Sequence, residues 1–156
     1  MKHIVFDCDG TLIDTSGPKY KLFPGMKELL TDLARENLLY VWTARGRSST
    51  LRILEEQGVI HLFEAFCTID DAPNKPHIAG LSMMLGTTNR GSICVIGDTT
   101  SDILGAKNFG VLAVGAVWCD GSRSGVLLDA GADFIVSHPL ECSKIVALNL
   151  EEDTDV

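Results

Sequence analysis

Two carboxylates lie two residues apart in Asp7-Cys8-Asp9-Gly10-Thr11, directly after the apolar run His3–Phe6. On a continuing strand, residues at i and i+2 would point the same way, but Gly10 signals a turn that redirects the chain. One oxygen-rich site with two carboxylates suits either a hard cation or a division of labour between nucleophile and acid. A second acidic group occurs in Gly97-Asp98-Thr99-Thr100-Ser101-Asp102, after the apolar run Ser92–Ile96. Helix capping accounts for Thr99 or Thr100, and an acid at Asp102 suits the first turn of a helix. Neither accounts for Asp98. Thr43 closes a third apolar run, Leu38–Trp42, and Arg45 follows two residues later. A hydroxyl and a guanidinium there could bind phosphate oxygens, although a threonine in that place is equally an ordinary cap. Lys75, just ahead of Pro76, offers a single cation. The Asp-x-Asp-Gly run also opens like an EF-hand loop, but position twelve is Pro18 and position six is Leu12, so that reading fails.

The elements that must carry these residues alternate. Strands are predicted at His3–Phe6, Leu38–Trp42, Ala65–Ile69, Ser92–Ile96, Val111–Val117 and Asp133–Val136. Between them, helical periodicity and stop signals predict helices at Gly25–Glu36, Ser48–Gln57, His77–Leu85, Thr100–Asn108 and Ser124–Ala130, with a last one from Pro139. Alternating helices and strands with apolar, Val/Ile-rich runs argue for an α/β fold. The expected architecture is a single Rossmann-like three-layer sandwich with a mostly parallel sheet and helices on both faces. Such sheets bind ligands at the carboxyl ends of their strands, which is where Asp7, Thr43 and Asp98 fall.

Composition limits what else the chain could be. A length of 156 residues fits one domain, here 1–150, followed by an acidic tail, 151–156, expected to be disordered. The net charge is −8, with 21 acids against 13 bases, which argues against a general nucleic-acid binder. Four of those acids lie in the tail and four are Asp7, Asp9, Asp98 and Asp102, so the remainder balances. No apolar stretch is long enough to span a membrane, and no signal peptide is evident. Five cysteines without metal-ligand spacing read as small hydrophobes in a reducing, cytoplasmic protein. The four histidines, His3 among them, read as surface or strand-end residues.

In this order the motifs resemble those of the haloacid dehalogenase superfamily of phosphohydrolases. Asp7-Cys8-Asp9-Gly10-Thr11-Leu12 is similar to its first motif, Thr43 to the second, Lys75 to the third, and Gly97-Asp98-Thr99-Thr100-Ser101-Asp102 to the fourth. The resemblance implies a phosphatase that cleaves a phosphate monoester through an aspartyl-phosphate. Asp7 would be the nucleophile, and Asp9 would protonate the leaving alkoxide. Thr43 would donate to the transferring phosphoryl group, and Lys75 would offset the gathered negative charge. Mg²⁺ would be held by Asp7, Asp9 (through its backbone carbonyl) and Asp98, with Asp102 orienting the metal site from behind. Thr43, Arg45 and Lys75 would bind the substrate.

Many superfamily members insert a cap domain between the first and second motifs or between the second and third. Here those gaps are 36 and 32 residues, already filled by a helix and a strand each, so a cap domain is not expected. A small flap at about 13–24 remains, and specificity then falls to this flap, Arg45, Arg47 and neighbouring loops. Among these, the loop Trp118-Cys119-Asp120-Gly121-Ser122 is a candidate to border the site, while Trp42 and Trp118 themselves read first as packing against helices. Such an open site fits a phosphorylated small molecule or a phosphorylated macromolecule, or closure by a neighbouring subunit. The alternatives are a catalytically silent phosphate-binding or regulatory module and, less favoured because its intermediate must be kept from water, a phosphomutase.

Overall fold

The computed structural model describes residues 1–154. Its chain begins in the middle of the sheet. Strand β1 (His3–Phe6) is followed by a two-stranded hairpin, β2 (Ile13–Asp14) and β3 (Lys21–Leu22), then α1 (Met26–Ala34) and β4 (Leu38–Trp42). The chain continues through α2 (Arg47–Glu56), β5 (Ala65–Cys67), α3 (Ala79–Leu85), β6 (Ile93–Gly97) and α4 (Thr100–Phe109). It closes with β7 (Leu112–Ala116), α5 (Ser124–Asp129), β8 (Phe134–Val136) and α6 (Glu141–Asn149). The six main strands are ordered β5-β4-β1-β6-β7-β8, and every pair is parallel.

Alternation along the strands divides the core. Ile4 and Phe6 face the same side as Leu39, Val41, Cys94 and Ile96, where they pack on α1, α2 and α6. Val5 points the other way, with Tyr40, Trp42 and Val95, against α3, α4 and α5. Both faces are therefore buried, which is why the strands read as apolar runs. The three-layer sandwich agrees with expectation.

The order of strands has one chemical consequence. From β1 the chain winds outward through β4 to β5, then returns to β1's other side as β6. The crevice between the ends of β1 and β6 is a topological switch point. Asp7 and Asp98 leave the sheet there.

One boundary is corrected. The third main strand ends at Cys67 instead of Ile69, because Asp71 accepts from the Thr68 N–H and O–H and folds the chain into a turn. Over 151–154, Glu151 N–H donates to the Gly91 carbonyl and Asp153 N–H to that of Met1, with Asp153 buried. Residues 155 and 156, including the acid Asp155, lie outside the described residues. His3 stands at the start of β1, a strand-end place as expected, and is buried there, with Nδ1 2.8 Å from the Tyr40 hydroxyl and Nε2 3.0 Å from the Asp153 carboxylate. A strand-end histidine with two polar partners does not need water, so its interior position is tolerated.

Candidate active site

The first acid owes its position to a tight turn. Asp7 N–H still donates to the β6 carbonyl of Ile96 (3.0 Å), so the residue remains registered to the sheet. Then the N–H groups of Thr11, Leu12 and Ile13 all converge on the carbonyl of Cys8. Gly10 makes the reversal with φ of +80°, a left-handed conformation that favours glycine. A β-carbon there would also run into the Asp98 carboxylate. Gly10 is what lets the Asp7 loop lie against the Asp98 loop, and Thr11 ties the two by donating its O–H to Asp98 (3.1 Å).

Lys75 reaches this crevice from the segment between β5 and α3. Its Nζ lies 2.8 Å from Asp7 Oδ1 and 2.5 Å from Asp102 Oδ1, and the side chain is 5% exposed. Burial opposes its charge, but Asp102 and Asp7 outweigh that and hold the ammonium above the ordinary lysine range. Asp102 is wholly buried, and its second oxygen accepts from the N–H and O–H of Thr99, completing a capping box on α4. One carboxylate thus caps a helix and grips the lysine. Trp42 lies beneath, its ring centroid 5.1 Å from Nζ. Glycine at positions 80 and 105 leaves room for the indole, since a β-carbon at either would collide with it.

Asp7, Asp98 and Asp102 each bring a carboxylate oxygen within 4.8 Å of the others. Burial first, then the Asp102 charge, pushes the Asp7 carboxyl well above the usual carboxylate range, against the opposing pull of Lys75. Asp98 is raised mainly by burial. Buried acids crowded in this way are relieved by a hard divalent cation, and all-oxygen donors suit Mg²⁺. Both Asp102 oxygens are already engaged by Lys75 and Thr99, which leaves Asp7 and Asp98 as the carboxylates able to ligate.

Asp9 stands apart from that cluster. Its carboxylate is clamped by Arg45 through two bonds of 2.8 Å, from Nε and Nη2, while Nη1 donates to Ser49 (2.7 Å). The Arg45 guanidinium also lies over the Tyr20 ring of the flap, 5.3 Å from its centroid. Thr43 is buried, and its Oγ1 accepts from the Arg45 N–H (3.0 Å), leaving the hydroxyl proton to donate elsewhere. A cavity of about 460 Å³ gathers Asp7, Asp9, Thr43, Arg45 and Lys75, joined by Asn74 and Ser101.

Some expected contributors point elsewhere. Arg47 forks onto Asp71 (3.0 and 3.1 Å), where its bonds hold the Asp71 carboxyl down at about 2, so it braces α2 against the loop after β5. Trp118 does not line the cavity; its indole N–H donates to the Thr11 carbonyl (3.0 Å) and supports the first loop from below. Arg123, which carries no motif in the sequence, donates to the Asp98 carbonyl (3.1 Å) and does the same for the second.

Residues 16–116 match a family model described as haloacid dehalogenase-like hydrolase. The chain belongs to that family. The matched span includes Thr43, Lys75, Asp98 and Asp102, and this haloacid dehalogenase-like chain carries Asp7–Thr11 just ahead of it. Among curated relatives, a phosphoglycolate phosphatase of Synechococcus elongatus is 25% identical over 130 residues, covering 83% of this chain and 61% of that protein. An N-acetylmuramic acid 6-phosphate phosphatase of Pseudomonas putida is 29% identical over 130 residues, covering 81% and 58%. The chain therefore spans about three fifths of the length of the curated relatives it matches. A solved haloacid dehalogenase-like hydrolase from Streptococcus pneumoniae superposes with a TM-score of 0.80 at 22% identity, covering 92% of this chain and 97% of that one, a likeness of fold.

Proposed function

We propose that this chain hydrolyses phosphate monoesters through a covalent phosphoryl intermediate on Asp7. The observation that carries the reading is a single one. A carboxylate at the floor of a cleft keeps one oxygen on Lys75 while Asp98 and Thr43 stand beside it. Asp7 attacks phosphorus with its other oxygen, the bond to the leaving oxygen breaks, and Asp9 gives that oxygen a proton. Water, deprotonated by Asp9, then cleaves the acyl phosphate and restores the Asp7 carboxylate. For Asp9 to face the leaving oxygen, Arg45 must release at least one of its two bonds. Thr43 donates to a phosphoryl oxygen, and Lys75 screens the nucleophile from the incoming anion. Mg²⁺ fits the carboxylates of Asp7 and Asp98 with the carbonyl of Asp9, where it would supply charge neutralisation to the phosphoryl oxygens.

Phosphorylated small molecules are the substrate class, in line with the phosphoglycolate and phosphosugar named for its two relatives. The hairpin β2–β3 would serve as the flap, and five free thiols, four of them buried, support a reducing, cytoplasmic setting. No helix among the described residues is long and apolar enough to cross a membrane. The test is hydrolysis of para-nitrophenyl phosphate with Mg²⁺ by the wild type and by Asp7→Asn. Turnover should vanish in the variant, and equal turnover in both would overturn the proposal.

A further inference from the structure

A second cavity, about 690 Å³, lies between the flap and α2 and shares Arg45 with the first. Its walls include Lys19 and Tyr20 from the flap and Ser49, Arg52 and Glu56 from α2. The two cavities meet at that one guanidinium, so the groove lies next to the place where a phosphate above Asp7 would carry its organic part.

The charges in the groove are not balanced. All three polar nitrogens of Arg45 are engaged, two by Asp9 and one by Ser49. Lys19 and Arg52, in contrast, have no hydrogen-bond or ion-pair partner among the described residues, and Glu56 is the groove's lone acid. In a chain of net charge −8, two unpaired cations facing one groove beside the site form a local exception. Tyr20, 43% exposed, adds a flat aromatic wall to the same groove. Cations without partners next to an apolar face recognise an organic group that ends in an anion.

We propose that this groove is the leaving-group subsite, and that it selects phosphate monoesters whose organic part carries a second anionic group. The subsite rests on the phosphatase reading above. Lys19 and Arg52 bind the second anion, Tyr20 packs on the carbon skeleton, and Arg45 stands between the two ends of the substrate.

The test compares three esters on the full chain with Mg²⁺: 4-carboxyphenyl phosphate, its neutral 4-carbamoyl counterpart, and 1,4-phenylene bisphosphate. Wild type should favour an anionic ester over the neutral one by on the order of tenfold in kcat/KM, the size of one or two exposed charge-assisted contacts. Preference for the carboxylated ester assigns a carboxylate, and preference for the bisphosphate assigns a phosphate. In Arg52→Gln, and in Lys19→Gln, the ratio should fall toward one, with melting temperatures recorded to show that both variants fold. Equal use of charged and neutral esters by wild type overturns the subsite and leaves the phosphatase reading standing. A preference that survives in both variants places the selection elsewhere and overturns it too. If no ester is hydrolysed, the phosphatase reading fails and the subsite falls with it.

Discussion

Replacing Lys75 by methionine would remove a cation while nearly preserving its volume over the Trp42 ring. The loss is therefore electrostatic. Lys75, Asp7 and Asp102 are respectively 5%, 9% and 0% exposed at the side chain, so water cannot take the lysine's place. Removing one partner of a buried ion pair costs about 3–5 kcal/mol. Proton uptake by Asp7, whose carboxyl is already raised by burial and Asp102, reduces that, so about 3 kcal/mol is expected near neutral pH. For a domain of this size, that is a fall of about 6–12 °C in Tm. The pH dependence follows from the direction of the shift. Lys75 pulls the Asp7 carboxyl down, so its removal raises that group further above the unfolded value. Stability linked to a raised carboxyl is complete below the unfolded pKa, about 3.9, and is lost as pH rises through the folded one. The deficit of Lys75→Met should hence shrink as pH is lowered from about 7 to about 5. Urea unfolding of the metal-free proteins at both values measures it. A deficit under about 1 kcal/mol at neutral pH, or one that does not change with pH, would refute the account of Lys75 as the charge that makes this carboxylate cluster tolerable.

Two further outcomes test the neighbouring geometry. Because Asp7 and Asp98 both titrate above the usual range, protons compete with a cation for the same oxygens. Mg²⁺ at about a hundred times its Kd should stabilise by about 2.7 kcal/mol at pH near 8 and by much less near pH 5, read as shifts in Tm; equal shifts would mean that these acids do not hold the ion. Gly10→Ala adds a β-carbon at φ +80° that meets the Asp98 carboxylate, and should cost about 1–3 kcal/mol in chemical denaturation and weaken the Mg²⁺ response. A neutral outcome would show that the loop can find another path.

The sequence discloses those parts of the site that the sheet itself positions. Asp7, Thr43 and Asp98 each follow a strand buried on both faces, so an apolar run with a polar residue at its end marks them directly. Lys75 and Asp102 are legible only as candidates, since what joins them is a contact across 27 residues. Side-chain direction is where legibility stops. Arg45 and Arg47 are two residues apart and equally basic, yet one turns to Asp9 and the other to Asp71. Nothing in their spacing distinguishes them, because the chain there passes from strand to helix and neither period applies. Trp42 reads as core, which it is, but its place beneath Lys75 depends on the absence of β-carbons at positions 80 and 105 on two different helices. His3 and Asp153 meet across 150 residues, so only the closed fold reveals that the tail acid is an interior partner.

The carboxylate of Asp102 faces two ways, one oxygen holding the first turn of α4 and the other holding Lys75. Opening of that turn and release of the lysine are then a single event. Amide hydrogens of Thr99 and Asp102 should exchange with solvent only when the ammonium has lost its anchor, so they form one cooperative unit with the cleft 27 residues away in sequence. A phosphate analogue bound over Asp7, in the cavity that Thr99 and Ser101 also line, would slow exchange at the helix end, and the backbone of α4 becomes a reporter of what occupies the cleft.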